Sequence, residues 1–349
     1  MLKSLIVLGV ELGPYVINWA QIEQVKEVLL ARTTLFTGEL EINLSNARGQ
    51  FSPEKRGSLF FGKNLFNIDA VIRVDGRVAF QGLLKDPKVN HGDRTVTLVM
   101  QNIMSKPADS ILPALTISAG NPASVMLEAM ALGGLLDLVD VGSFLAAGAP
   151  SREAGAVIDV NIAAGSNVSV LNLLQQISDL ASISVFVNAG LIQAKAVTTY
   201  PGGESGLRQE LNADVVRDFK ERNTASDNFN NEVVVYYGGS QESYTARDER
   251  SIGITKITRT LPFATLTGSL VAVPDLASAV YFAATALARA STPPVVVTLE
   301  VGKEFIQANI GDRFPVTASN WGMVRKPFEL IEKHLSLMSE SVDMTLRSI

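Results

Sequence analysis

Thirty-five carboxylates, two imidazoles and no thiol make up the acid–base and ligating inventory of this 349-residue sequence. The absence of cysteine excludes disulfides, thiolate zinc sites, iron–sulfur clusters and cysteine nucleophiles. His91 falls in "VNHGDR" and His334 in "IEKHLSL", and both read as exposed loop or strand-edge side chains rather than as a working pair. Hydrolysis by two converging carboxyl groups is the enzyme class that this composition leaves open. Asp137 and Asp140 are spaced to share one helical face, where a solvated charged face is the simpler account. Gly238-Gly239 ends a strand-like run with neither a P-loop nor a dinucleotide fingerprint around it, so it reads as a turn. The segment 201–210, "PGGESGLRQE", lacks the Gly-x-Ser-x-Gly of a nucleophile elbow and reads as a loop. No catalytic residue, cofactor site or metal ligand is therefore assigned.

These sparse groups sit in a chain that is 47% apolar and 19% charged, long enough for two or three domains. A formal net charge of −5 argues against a whole-protein grip on nucleic acid, which needs a basic face. The N-terminal "MLKSLIVLGVELG" has too short an apolar run for a secretion signal, with Glu11 interrupting it. Residues 133–150 carry Asp137 and Asp140 and fall short of a membrane span. The expectation is a soluble protein made in the cytoplasm.

Periodicity gives the elements. In "GELEINLSN" (38–46), Leu40, Ile42 and Leu44 alternate with Glu39, Glu41 and Asn43, as in a half-buried antiparallel strand. Asp75-Gly76 between two alternating runs is a two-residue hairpin signal, and "DRTVTLVMQN" (93–102) alternates again. A small antiparallel barrel or sandwich is expected over 1–104. Residues 105–215 read as an α+β insert. It has a helix at 121–134 with Asn121 as N-cap and Pro122 first, a helix at 166–183 with one apolar stripe, and a hairpin at 184–197. Residues 216–349 return to strands: a polar, flexible connection at 221–231, a strand at 232–239, a helix at 274–294 capped by Asp275 and stopped by Pro293-Pro294, and a final hairpin. The order is barrel, insert, barrel.

The segment 47–67 interrupts the first barrel with glycine, proline and positive charge, and a long loop of this kind is functional or mobile. Arg48, Phe51, Lys55 and Arg56 are its candidate partner-contact residues. With one aromatic among few charges, contact with a protein is favoured over nucleic acid. Two stretches far apart, 70–99 and 297–317, look alike, and each carries a Gly-Asp-Arg before a strand (Gly92-Asp93-Arg94 and Gly311-Asp312-Arg313).

On "LEINLSNARGQFSPE…VIRVDGRVAFQGLLKDPKVNHGDRTVTLVMQN" for a first barrel, "NVSVLNLLQQISDLASISVFVNAGLIQAKA" for an inserted helix-hairpin and "VVVYYGG…VVVTLEVGKEFIQANIGDRFPVT" for a second barrel, the chain resembles the phage baseplate hub or tail-tip hub family, whose fold is shared by the N-terminal region of type VI secretion spikes. The resemblance implies a fold that is mainly β, with two tail-tube-like antiparallel β-barrels and a helix-hairpin domain inserted between them. It implies a homotrimer presenting six barrels, an adaptor between a six-fold tube or distal tail ring and a three-fold spike or fibre. The partners implied are further copies of the chain, the tube or distal ring, the central spike or fibre, and the tape-measure protein. The location implied is the virion tail, assembled in the host cytoplasm around a DNA channel. Some members carry a fused cell-wall hydrolase, for which this chain is expected to have no room. A six-fold distal tail ring protein and a carboxylate hydrolase are the alternatives.

Overall fold

The computed structural model describes residues 2–19, 21–25, 39–85, 87–188, 190–196, 208–224, 229–239, 242–263, 270–291, 294–337 and 340–348. Two curled antiparallel half-barrels form one part of it. The first comprises β1 (Lys3–Val7), β2 (Val10–Glu11), β3 (Val16–Asn18), β5 (Glu39–Ser45), β6 (Asp69–Val74), β7 (Arg77–Leu84), β8 (Lys88–Asn90) and β9 (Thr95–Asn102). The second comprises β14 (Val216–Thr224), β19 (Val295–Gly302), β20 (Arg313–Ala318), β21 (Met323–Ser336) and β22 (Ser341–Ser348), joined by β4 (Gln21–Val25). Leu40, Ile42 and Leu44 of β5 are buried and Glu39 and Glu41 are exposed, as the alternation requires. Asp75 and Gly76 take φ of +47° and +80° at the β6–β7 turn, the positive values that a two-residue hairpin with the right twist needs.

The two half-barrels share one strand order. In the first, neighbours run β3-β5-β9-β7-β6; in the second they run β14-β19-β22-β21-β20, with every pairing antiparallel. Thus β5, β6, β7 and β9 correspond to β19, β20, β21 and β22 in chain order. The two Gly-Asp-Arg triplets do not correspond. The first leads into β9, fourth of its set, and the second into β20, second of its set, so their likeness in sequence is coincidental.

The elements between the half-barrels build an α+β unit. It holds α1 (Ser105–Asp109), α2 (Pro122–Leu132), α3 (Val141–Ala147), α4 (Ala149–Glu153), α5 (Val170–Ala181), β10 (Leu115–Gly120), β11 (Ile158–Ile162) and the hairpin β12 (Ile183–Asn188) with β13 (Leu191–Ala196). Later residues join it: β15 (Glu232–Tyr237), β16 (Glu242–Arg247), α6 (Glu249–Thr255), β17 (Thr260–Phe263), β18 (Val271–Ala272) and α7 (Leu276–Ala290). β18 pairs with β11, and Phe282, Ala283 and Ala286 of α7 are buried in the same cluster as Leu173, Leu174 and Ile177 of α5. Asp275 caps α7 by accepting from the Ser278 amide at 2.8 Å. Both half-barrels share a second cluster, running from Leu5, Ile42 and Ile72 to Leu299, Phe314 and Val342.

Contiguous sequence therefore does not coincide with the packed units. β4 leaves the first region to pair with β21, burying Ile22 opposite Leu335. The segment from β15 to α7 lies in the α+β unit. The polar stretch 221–224, expected to be flexible, continues β14 as strand, because a sheet-edge strand with one wet face can be polar over several residues; 225–228 of that stretch lie outside the described residues, as do 201–207 and Pro293.

Candidate assembly surfaces

The residues singled out for chemistry do not converge. Asp137 lies in a 3-10 turn over Leu136–Leu138, whereas Asp140 is the N-cap of α3, accepting from the Ser143 amide at 3.2 Å and from Gln193 Nε2 at 3.1 Å. They share no helical face, because a single extended residue between turn and helix re-aims the second carboxylate. His91 is exposed in the turn before β9, 3.4 Å from Glu54. His334 is not at a sheet edge: it lies half-buried on β21 between β22 and β4, with Nε2 2.7 Å from Glu332. Gly238 and Gly239 form a positive-φ turn after β15. An open cleft of about 540 Å³ beside β1 holds one carboxylate, Glu11, and its Oε1 accepts from the amides of Leu5 and Gly13. Among the described residues no group of three His, Cys, Asp or Glu is placed to hold a metal ion.

The loop after β5 is packed through its aromatics. Phe51 is 2% exposed, edge-on to Tyr15 at 5.1 Å and tilted against Phe60 at 5.5 Å. Its amide donates to Asn46 Oδ1 at 2.9 Å, and Asn46 Nδ2 donates to Ser52 Oγ at 2.9 Å. Phe51 is therefore a core anchor and is unavailable to a partner, since burying the ring is what fixes the loop's succession of turns. Arg48, Lys55 and Arg56 remain exposed, with Lys55 Nζ bonded to the Arg48 carbonyl. Phe61 and Phe66, not singled out from the sequence, are 46% and 52% exposed on the same loop. Only a residue-by-residue account of which ring fills the core could have separated them from Phe51.

The wet faces of the sheets carry ordered charge. Asp218, Glu300, Asp343 and His334 stand opposite one another across β14, β19, β22 and β21. Lys220 Nζ bridges Asp343 Oδ1 at 2.6 Å and Glu300 Oε2 at 3.2 Å, and the Asp343 bond chiefly holds its ammonium above the ordinary lysine range. On the first half-barrel, Glu39 pairs with Lys85 and Glu41 with Lys88 at 4.0 Å; the Lys85 bond lowers the Glu39 carboxyl. One wet face is acidic and the other balanced.

Three segments of the chain meet at the corner before β20. Asp312 Oδ2 accepts from Arg208 Nε at 2.8 Å and from the Asn309 amide at 2.8 Å, while Lys195 Nζ of β13 donates to Gly311 O at 2.6 Å and lies 3.4 Å from Asp312 Oδ1. Beneath it Lys333 is buried, its Nζ donating to the carbonyls of Ile306 and Ala308 at 3.0 and 2.7 Å. Burial pushes that ammonium down to about 8, against the opposing pull of Asp312. Arg347 Nη2 reaches the Arg289 carbonyl of α7 at 3.3 Å, and burial pushes its guanidinium down to about 10. The half-barrels also touch directly, Lys303 Nζ lying 3.2 Å from Asp75 Oδ2.

The sequence matches no protein-family model and no curated protein. Solved structures do match. A tail protein from Neisseria meningitidis MC58 aligns over 99% of this chain and 96% of its own at a TM-score of 0.62 and 13% identity. The fold is that of phage tail proteins. The 43 kDa tail protein of prophage MuSo2 from Shewanella oneidensis aligns over 99% of this chain and 98% of its own, with a TM-score of 0.59 and 11% identity. Prophage tail protein gp18 from Listeria monocytogenes EGD-e aligns over 99% and 94%, with a TM-score of 0.53 and 9% identity. No described helix of this tail-protein fold is long and apolar enough to cross a membrane.

Proposed function

We propose that the chain is a structural, non-catalytic component of a phage-type tail, acting as a baseplate or tail-tip hub. In this reading three copies close into a ring of six half-barrels that adapts a six-fold tube or distal ring to a three-fold spike or fibre. The observation that carries it is the repeated strand order, β3-β5-β9-β7-β6 against β14-β19-β22-β21-β20: a duplicated unit lets a trimer present six similar surfaces. The half-barrels are the ring-forming units, and the α+β unit is built from the elements between them together with the segment from β15 to α7 that interrupts the second. The wet faces line a central DNA channel that is acidic or neutral, in keeping with the Asp218, Glu300, Asp343 row, since a basic wall would hold passing phosphates. Arg48, Lys55 and Arg56 contact a neighbouring ring. The tape-measure protein is a further partner, and the virion tail, assembled in the bacterial host cytoplasm, is the location.

Electron-microscopy class averages of the purified protein test this reading. Three-fold particles with six similar lobes are expected; a six-fold ring of six chains would point to a distal tail ring protein instead, and single particles without symmetry would reject the ring.

A further inference from the structure

We propose that the seam between α7 and the second half-barrel is a binding site for a small inorganic oxyanion of the phosphate class, held by Arg289, Arg313 and Arg347. The inference goes beyond the hub reading and does not depend on the number of copies. Strand register builds the site. Arg313 of β20, Glu329 of β21 and Arg347 of β22 stand opposite one another in one row across the sheet. Phe328 and Leu330, on either side of Glu329, are buried in the half-barrel core, so by the two-residue period the row faces away from that core. The C-terminal end of α7 covers it, with Arg347 Nη2 donating to the Arg289 carbonyl at 3.3 Å. Glu329 and Arg347 are only 4% and 5% exposed there.

Positive charge is in excess at this seam. Among the described residues, Glu329 is the one carboxylate that acts on Arg289 and on Arg347, and Arg313 stands opposite the same side chain. Asp312, next to Arg313 in the chain, is already held by Arg208 and Lys195. Burial lowers the Arg289 guanidinium, with Glu329 opposing the fall and Arg313 adding to it. Its Nη1 is buried and has no hydrogen-bond partner among the described residues. An unmade buried donor is costly, and so is a buried cation without its counter-ion. One bound anion relieves both. Guanidiniums offer pairs of N–H groups in a planar fork that matches two oxygens, so an oxyanion suits the site better than a spherical halide. Arg289 as a whole is half-buried, which leaves a small ion a route along its stem, whereas a nucleic-acid strand is too large to reach the enclosed Nη1.

Calorimetric titration of the full chain with inorganic phosphate, at constant ionic strength set with chloride, tests the site. Saturable binding of one phosphate per chain is expected, with a melting temperature that rises as phosphate is added. Arg289→Met is expected to weaken binding roughly tenfold or more, the value of a hydrogen bond to a charged group. Glu329→Gln removes the competing carboxylate and is expected to tighten binding by roughly the same factor, a change of sign that loosened packing would not produce. No saturable binding to the wild-type chain overturns the proposal, and so does equal affinity in Arg289→Met. Where Arg289→Met does not fold, Glu329→Gln decides, and an unaltered or weaker affinity there overturns it. Binding of a single-stranded oligonucleotide that Arg289→Met abolishes, with free phosphate inert, would replace the small ion by a polymer and likewise overturn the assignment.

Discussion

Arg208 Nε lies 2.8 Å from Asp312 Oδ2, and this contact, beside the hydrogen bond from the Arg208 amide to the Arg313 carbonyl at 2.9 Å, ties the segment before β14 to the corner that leads into β20. The same carboxylate receives the Asn309 amide and faces Lys195 of the β12–β13 hairpin. Asp312 therefore holds half-barrel and α+β unit in one arrangement. Asp312→Ala is expected to cost about 2–3 kcal/mol in urea unfolding, below the full value for breaking a buried pair because Arg208 and Lys195 are half-exposed. Arg208→Ala is expected to cost less than 1 kcal/mol. Equal costs would contradict the assignment of Asp312 as the shared anchor.

Lys333 makes stability depend on pH in the alkaline range. Its folded value of about 8 lies below the ordinary 10.5, so between these limits the unfolded chain binds more protons than the folded one. The cost of keeping a buried ammonium is full below about pH 8 and is relieved as pH rises. Wild type is expected to gain up to about 3 kcal/mol relative to Lys333→Met between pH 8 and 10.5. Denaturant midpoints across that range give the difference; a flat one would show that Lys333 titrates normally.

Phe51 and its charged neighbours are expected to separate by assay. Phe51→Ala removes a ring packed against Tyr15 and Phe60 and should cost about 3–4 kcal/mol. Arg48→Glu with Lys55→Glu and Arg56→Glu should leave the melting temperature within a degree or two while weakening co-assembly with the adjoining ring in a pull-down. Loss of binding with Phe51→Leu, in a chain that still folds, would instead assign the ring a direct contact.

Gly190 has φ +82°, and a Cβ there would lie 1.9 Å from Gln81 Oε1 of β7. The β12–β13 hairpin tip thus abuts the first half-barrel. Gly190→Ala is expected to cost about 1–2 kcal/mol, from the left-handed backbone and the crowded amide together. Gln81→Ala in the same chain should recover only the crowding part. Full recovery would mean that the backbone there tolerates a side chain without strain.

Much of this was legible in local pattern. The alternation of Leu40, Ile42 and Leu44, the Asp75-Gly76 turn, the Asp275 cap and the stripe of α5 each depend on neighbours a few residues away. What escaped depends on distant partners. Nothing in "QIEQV" says that β4 pairs with β21 rather than with its own half-barrel. Asn121 begins α2 as expected, yet its side chain serves Gly148 O and Ser151 Oγ instead of the helix amides. The two Gly-Asp-Arg triplets misled because three residues carry little information. Asp93 takes a bond from Asn90 Nδ2 in an exposed turn, while Asp312 is buried at a three-way junction. The true repeat is in the pairing order, which no short motif encodes.

Native mass spectrometry of the untreated chain tests the ring most directly, since duplication of the half-barrel earns its meaning only through the number of copies. A dominant species of three chains, persisting at micromolar concentration, is the predicted result. A species of one, two or six chains would contradict it.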